Sequence, residues 1–484
     1  MRNRNVVFGV CFAHLVIALF CAPANAGVEK VVELYNNKEY AEAFAYFQDL
    51  AEVGNGKAQF NIGVMYYHGE GVPRDDVQAY AWIRTAADTT KNEKYASTAE
   101  QILATLPEDK QQAARDLAAE LHARLGEEAL QKTLIPKPLS DEDCTQEIAP
   151  LKRENPNYPN NALSEGKMGA VVTEFTITPQ GYVRDLIVTT TADQSFAKET
   201  ARILPKWRYT PRVVKDKAVP TYGVRVQMIF QIDDSGTATN MRELKKALAS
   251  TKEKAEQGDI VEQYQYAMML ENFNRFKTFL KGMNLEYQEA NKWLLSSAVS
   301  GFSVAQFQLG RNMVSGRGCA VDEAGGMKWI TAAAAGGHPS AQHYLARNLF
   351  QEADEQKYRA AIKWLKGAVA AYDYFPAKVM LAWEYAASTL QEVRDGKAAL
   401  ELINGKSGVF FDHVRVLETE AAAHAEIGDF SRAITTQKDA LEKANSYHWE
   451  IPEMQARLAS YQAKQPWRGE YYQSVEWIQP LESD

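Results

Sequence analysis

Few residues in this 484-residue chain are spaced for covalent chemistry. His338 and His343 stand five apart, which puts them on different faces of a helix rather than around one metal ion. Gly69-Glu70-Gly71 and Gly316-Arg317-Gly318 would cradle a phosphate only after a strand and before a Lys-Ser/Thr pair. Both follow helical patterns and lack that pair, so they read as turns between helices. No H-E-x-x-H, C-x-x-C or G-x-S-x-G spacing occurs. Asp and Glu fall mostly on amphipathic helices, as solvated faces. No catalytic residue is assigned, and neither a cofactor nor a metal is implied.

The chemistry that remains is recognition. Tyr222, Val224, Val226, Met228 and Phe230 alternate with Gly223, Arg225 and Gln227, which makes a strand with one apolar face. A strand at a sheet edge presents backbone N–H and C=O groups that an extended partner can pair with. The candidate partner-binding residues are therefore Tyr222, Val224, Arg225, Val226, Gln227, Met228 and Phe230.

The elements around that strand form a small module. After the polar stretch IPKPLSDEDC, Val171, Thr173, Phe175 and Ile177 alternate as a first strand. Residues 178–181, TPQG, turn into a second strand starting at Tyr182, which predicts a hairpin. Asp193 or Ser195 caps a helix whose stripe is Phe196, Thr200, Ile203, Leu204 and Trp207. Trp207 is expected in the core, with Tyr209 and Pro211 steering the chain towards the last strand. The order is strand, strand, helix, strand, an α+β unit with its helix on one face of an antiparallel sheet.

Tyr158, Pro159, Ala162, Gly169, Val171, Phe175, Ile177, Gly181, Val183, Phe196, Leu204, Trp207, Tyr209, Pro211 and Phe230 together resemble the C-terminal domain of TonB energy transducers. The resemblance implies that the last strand holds a short segment of an envelope protein, such as an outer-membrane receptor, as an added strand. The chain departs from that family in one respect. A transducer needs a membrane anchor and usually a long Pro-rich spacer, and neither is present in clear form.

Repeats surround the module. Trp293, Trp329 and Trp364 are separated by 36 and 35 residues, each followed by a small-residue run. VAQFQLG and SAQHYLA keep the same period. The unit is helix, turn, helix, with Ala and Gly where the helices approach, and it buries a core only by stacking. Residues 57–87 carry the pattern again, with Trp82 at the Trp position. It resembles the Sel-one-like repeat, a relative of the tetratricopeptide repeat, whereas residues 421–444 look more like a plain tetratricopeptide helix pair.

The N-terminus reads as a secretory signal peptide. Arg2 and Arg4 precede an apolar run of 15 residues, and Ala24 and Ala26 form a small-residue cleavage site. The run is shorter than the roughly 20 residues needed to cross a bilayer. Cys144 and Cys319 then remain, and they read as unpaired buried thiols rather than a disulfide. Residues 150–232 carry 12 Lys and Arg against 7 Asp and Glu, a net of +5 within an acidic chain. That contrast suggests an anionic partner or surface; nucleic acid is not implied.

The expected architecture is multidomain, with α-solenoid repeats flanking a small α+β TonB-like domain. The boundaries are a signal peptide at 1–26, repeats at 27–131, a linker at 132–149, the TonB-like domain at 150–232, a linker at 233–254, repeats at 255–463 and an aromatic tail at 464–484. The repeats are expected to form two separate curved scaffolds. The expected function is a periplasmic, non-enzymatic adaptor that docks an envelope protein segment. One alternative is a true energy transducer with an uncleaved anchor. Another is an enzyme with a site in the repeat groove, which converging carboxylates of perturbed pKa would favour.

Overall fold

The computed structural model describes residues 26–137, 150–214, 217–230, 237–274, 287–352, 354–372, 374–404, 413–469 and 475–476. The expected signal peptide, apart from Ala26, lies outside the described residues, as does Cys144. Among the described residues, no helix is long and apolar enough to cross a membrane. The chain divides into two compact units, each assembled from two separated stretches. One joins the N-terminal repeats to residues 236–372, and the other joins 147–235 to 373–484.

The first unit is all helical. Its repeats are antiparallel pairs such as Gly56–His68 with Asp76–Thr90, and Ser303–Ser315 with Glu323–Ala335. Gly69 and Gly316 end the first helix of each pair at φ +74° and +68°, the left-handed conformation that glycine adopts without penalty. Gly310 and Gly326 face one another across the second pair, where a Cβ on either would come within 2.6 Å of the other's carbonyl oxygen. Small residues are thus required by helix contact.

Glutamine is a second repeated device in this unit. Gln263, Gln306 and Gln342 each donate Nε2 to the carbonyl eight residues earlier: Ala255 at 3.3 Å, Ala298 at 3.1 Å and Ala334 at 3.0 Å. Each side chain is a second donor to a carbonyl at the end of the preceding helix, which also accepts the backbone N–H of Gly258, Gly301 or Gly337 in turn.

Two expectations are corrected here. The stretch 233–254 is not simply a linker, because Thr237–Glu256 is a helix. Leu248 and Ala255, two turns apart on one stripe, are buried in the unit's core. Nor do the N-terminal repeats form a separate scaffold from those at 287–372. The indole of Trp329 donates to Leu134 O at 3.0 Å, Ala320 N donates to Lys137 O at 2.9 Å, and the two sets share one core.

The second unit contains all eight described strands. They are β1 (Pro150–Lys152), β2 (Gly169–Ile177), β3 (Val183–Thr191), β4 (Arg208–Tyr209), β5 (Arg212–Val214), β6 (Lys217–Val219), β7 (Thr221–Phe230) and β8 (Val475–Glu476). The main antiparallel sheet has the order β3-β2-β7. The helix Gln194–Ile203, capped by Asp193, covers one face through Phe196 and Ile203. Helices Phe375–Ala387, Gly396–Ile403, His413–Glu426, Phe430–Ser446 and Pro452–Gln462 complete the unit.

Candidate protein-docking site

Trp207, expected in the core, is buried, and Tyr209 and Pro211 beside it are buried as well. Trp207 packs with Phe196, Phe175 and Phe230 in the module core, and its indole donates to Glu154 O at 2.9 Å. Tyr209 lies in β4 against β1, with its ring 5.7 Å from that of Phe175. Burial pushes the Tyr209 hydroxyl pKa well up.

The candidate seam, β7, is the last strand of its sheet, and its ladder partner is β2. Val171 faces Met228, Thr173 faces Val226 and Phe175 faces Val224. Met228 and Phe230 are buried, with Val224 and Val226 packed against the same core. These four side chains therefore point inward, and what they offer a partner is backbone.

Tyr222 departs from the expected face. The register shifts between Phe175 and Ile177, so that Tyr222 and Gly223 together oppose the single residue Thr176. Gly223 sits at φ +69° in this bulge. The extra residue breaks the two-residue parity, and Tyr222 does not join the module core. A glycine inside an otherwise β-branched strand is the sequence signal of such a bulge.

Arg225 is a candidate partner-binding residue on the strand's polar face. It is largely covered, with Nε 4.0 Å from Glu174 Oε2 on the neighbouring strand. Gln227 is half-buried on the same outer face, and Ile229 is exposed there.

The opposite strand carries a site that sequence reasoning missed. Arg184 of β3 is 2% exposed and places Nη2 at 2.7 Å from Glu418 Oε2 on the helix His413–Glu426. Glu418 is fully buried and also meets Arg415, at 3.6 Å, and Arg457. Burial alone would raise its pKa; Arg457, Arg184 and Arg415 overturn that and hold it at about 2. Asp185 adds a second contact, with Oδ1 at 3.6 Å from Arg415 Nε.

A bulge lets consecutive residues serve this site. Thr176 pairs with Arg184 and Glu174 with Ile187, so two residues of β3 oppose the single residue Phe175. Asp185 takes φ +53°, a left-handed conformation that Asp tolerates better than most residues. Ile187 packs onto the cluster of Trp383 and Ala386. At the hairpin turn, the Tyr182 hydroxyl donates to Glu450 O and accepts from Glu450 N at 2.6 Å. The Trp449 indole donates to Pro205 O at 2.7 Å while the Arg184 guanidinium lies 4.6 Å over its ring. Part of the positive charge of the module thus meets an anion of the same chain, where its excess of basic residues suggested an anionic partner or surface.

In the first unit, Asp49 is the carboxylate that stands out. Burial first, and Glu52 second, push its pKa up to about 7. Glu52 itself lies 3.5 Å from Arg124 and 3.8 Å from Lys328.

Comparison with known proteins places these features. Residues 154–232 match the family described as Gram-negative bacterial TonB protein C-terminal, and residues 56–88, 303–338 and 339–371 match the Sel1 repeat. Protein TonB of Pseudomonas aeruginosa is 32% identical over 96 residues, covering 20% of this chain and 27% of that protein. The chain therefore spans about a quarter of that curated relative's length. The DAP3-binding cell death enhancer 1 of Rattus norvegicus is 51% identical over 37 residues, 8% of this chain and 7% of that one. Among solved structures, a Sel1 repeat protein from Oxalobacter formigenes is 19% identical, with a TM-score of 0.33 over 47% of this chain and 88% of its own. The C-terminal domain of Pseudomonas aeruginosa TonB is 32% identical, with a TM-score of 0.17 over 21% of this chain and 97% of its own. The chain thus carries a TonB C-terminal module among Sel1 repeats, and both are modules of protein–protein interaction.

Proposed function

We propose that the protein is a non-enzymatic adaptor of the cell envelope, exported to the periplasm, that takes an extended segment of an envelope protein as an added strand on β7. The observation that carries this reading is the place of β7 at the end of the sheet order. The far side of the same sheet supports it, because Arg184, Asp185 and Ile187 of β3 are engaged with the C-terminal helices. A partner strand would lie along Val224 to Phe230, with Gln227 and Ile229 offering side chains on the outer face. The repeats supply the scaffold that presents the module.

A photo-crosslinking residue at Gln227, introduced in whole cells, should capture an extended segment of an envelope protein. The same residue at Lys198, exposed on the covering helix, should not. With the crosslinking residue moved to the exposed Ile229, Gln227→Pro, checked for folding by circular dichroism, should abolish capture because proline removes a backbone donor. Equal crosslinking from both positions, or unchanged capture by folded Gln227→Pro, rules strand addition out.

A further inference from the structure

The tail of the chain meets the module at a different edge from β7. Its first part is fixed to the last repeats. Gly469 N donates to Ala387 O at 3.1 Å, Gly469 O accepts from the Trp383 indole at 3.3 Å, and Arg468 pairs with Glu426. Further along, β8 runs antiparallel to β6, with Val475 opposite Ala218 and Glu476 opposite Lys217. The other neighbour of β6 is β5. A two-stranded hairpin of the module is thus completed to three strands by the chain's own C-terminal segment.

Charge favours this pairing. Arg212 and Lys217 are exposed on the hairpin and form no ion pair among the described residues. Residues 470–484 contain Glu470, Glu476, Glu482 and Asp484, and no Lys or Arg. An opposite charge directly across an antiparallel pair stabilises it and fixes its register. Val213 on β5 is 40% exposed, and Ala218 of β6 is fully buried.

We propose that the outer edge of β6 is a second strand-addition site, selective for an acidic extended segment, and that the tail segment carrying β8 (Val475–Glu476) is its internal occupant. The tail shields this edge from partners of the same chemistry. The proposal is independent of any partner at β7.

The test uses the full chain, a chain ending at Gly469, and a labelled synthetic peptide of residues 470–484. The truncated chain should bind the peptide in fluorescence anisotropy, and the full chain should not. Amide exchange at Lys217–Val219 should lose protection on truncation and regain it with peptide. Lys217→Glu in the truncated chain should weaken binding about fivefold, by turning an attractive cross-strand pair into a repulsive one. No binding by the truncated chain, equal binding by both chains, or indifference to Lys217→Glu would overturn the proposal. Should truncation unfold the unit, Val475→Pro in the full chain keeps the Arg468 and Gly469 contacts and should still expose 217–219; unchanged protection there overturns it. Gln227→Pro in the truncated chain should leave peptide binding intact, and its loss would move the segment to β7 and refute the β6 assignment.

Discussion

Arg184 and Glu418 lie 234 residues apart in sequence and form an ion pair of 2.7 Å, with side chains 2% and 0% exposed. It ties the β3 hairpin of the TonB-like module to the helix His413–Glu426. Desolvating two charges is expensive, and the arrangement holds because Arg415 and Arg457 share the carboxylate. The module and the C-terminal helices are therefore expected to unfold together.

Glu418→Gln should test this most severely. It leaves three arginines around a neutral amide, and an uncompensated buried charge costs about 3–5 kcal/mol. Arg184→Met should cost less, because Glu418 keeps two arginines. Hydrogen exchange is the readout. Protection should fall together in 150–230 and 413–461 and persist in 26–134. Loss confined to the module would show that the pair does not couple them.

Trp207→Ala should follow the same boundary. Truncating a buried Trp costs roughly 3–5 kcal/mol. From sequence, the damage would stop at the module and spare every repeat. The structure extends it, because Pro205, two residues before Trp207, accepts the Trp449 indole proton. Exchange in 430–461 should rise with that of the module, while residues 303–335 stay protected. Unchanged exchange at 430–461 would restore an autonomous module.

Legibility tracks how local the cause is. The hairpin, the capped helix and the burial of Trp207 follow from alternation and a short-range cap, so they are visible in the sequence. The turn glycines are legible because a left-handed helix end has one favoured residue. The docking of β3 is not, since Arg184 reads as one more charge in a basic module and nothing local points to Glu418. Bulges were missed for a related reason: one extra residue flips the parity of a strand, as at Tyr222, and only Gly223 announces it. The helix Thr237–Glu256 was missed because its burial is visible only at spaced positions such as Leu248 and Ala255.

The glutamine device predicts a graded series. Gln306→Leu removes one of two donors to Ala298 O, which keeps the Gly301 N–H at 3.0 Å, so the lost hydrogen bond should cost about 0.5–1.5 kcal/mol. Gln263→Leu should cost less, since its bond to Ala255 O is longer and the side chain is only half-buried. Urea titration followed by exchange in 255–315 measures both. Equal losses would mean that side-chain volume, not the hydrogen bond, sets the effect.

Asp49 gives the last prediction, a pH dependence with a definite sign. Its folded pKa is raised from 3.8 to about 7 by burial and by Glu52. The folded state therefore holds this proton through a window in which the unfolded chain has released it. A raised carboxylate works against folding at high pH: stability falls as pH rises from about 4 to about 7, and the full penalty applies above that. Asp49→Asn keeps the shape and removes the titration. At pH 8 the variant should exceed the parent by about 1–2 kcal/mol, a modest figure because the side chain keeps part of its surface in water. At pH 4 the two should agree. Urea midpoints at pH 4, 6 and 8, with exchange in 40–134 to localise the change, decide it. A difference that is flat with pH would show that Asp49 is ionised in the folded protein throughout, held by solvent and by the Arg124 and Lys328 charges beside Glu52.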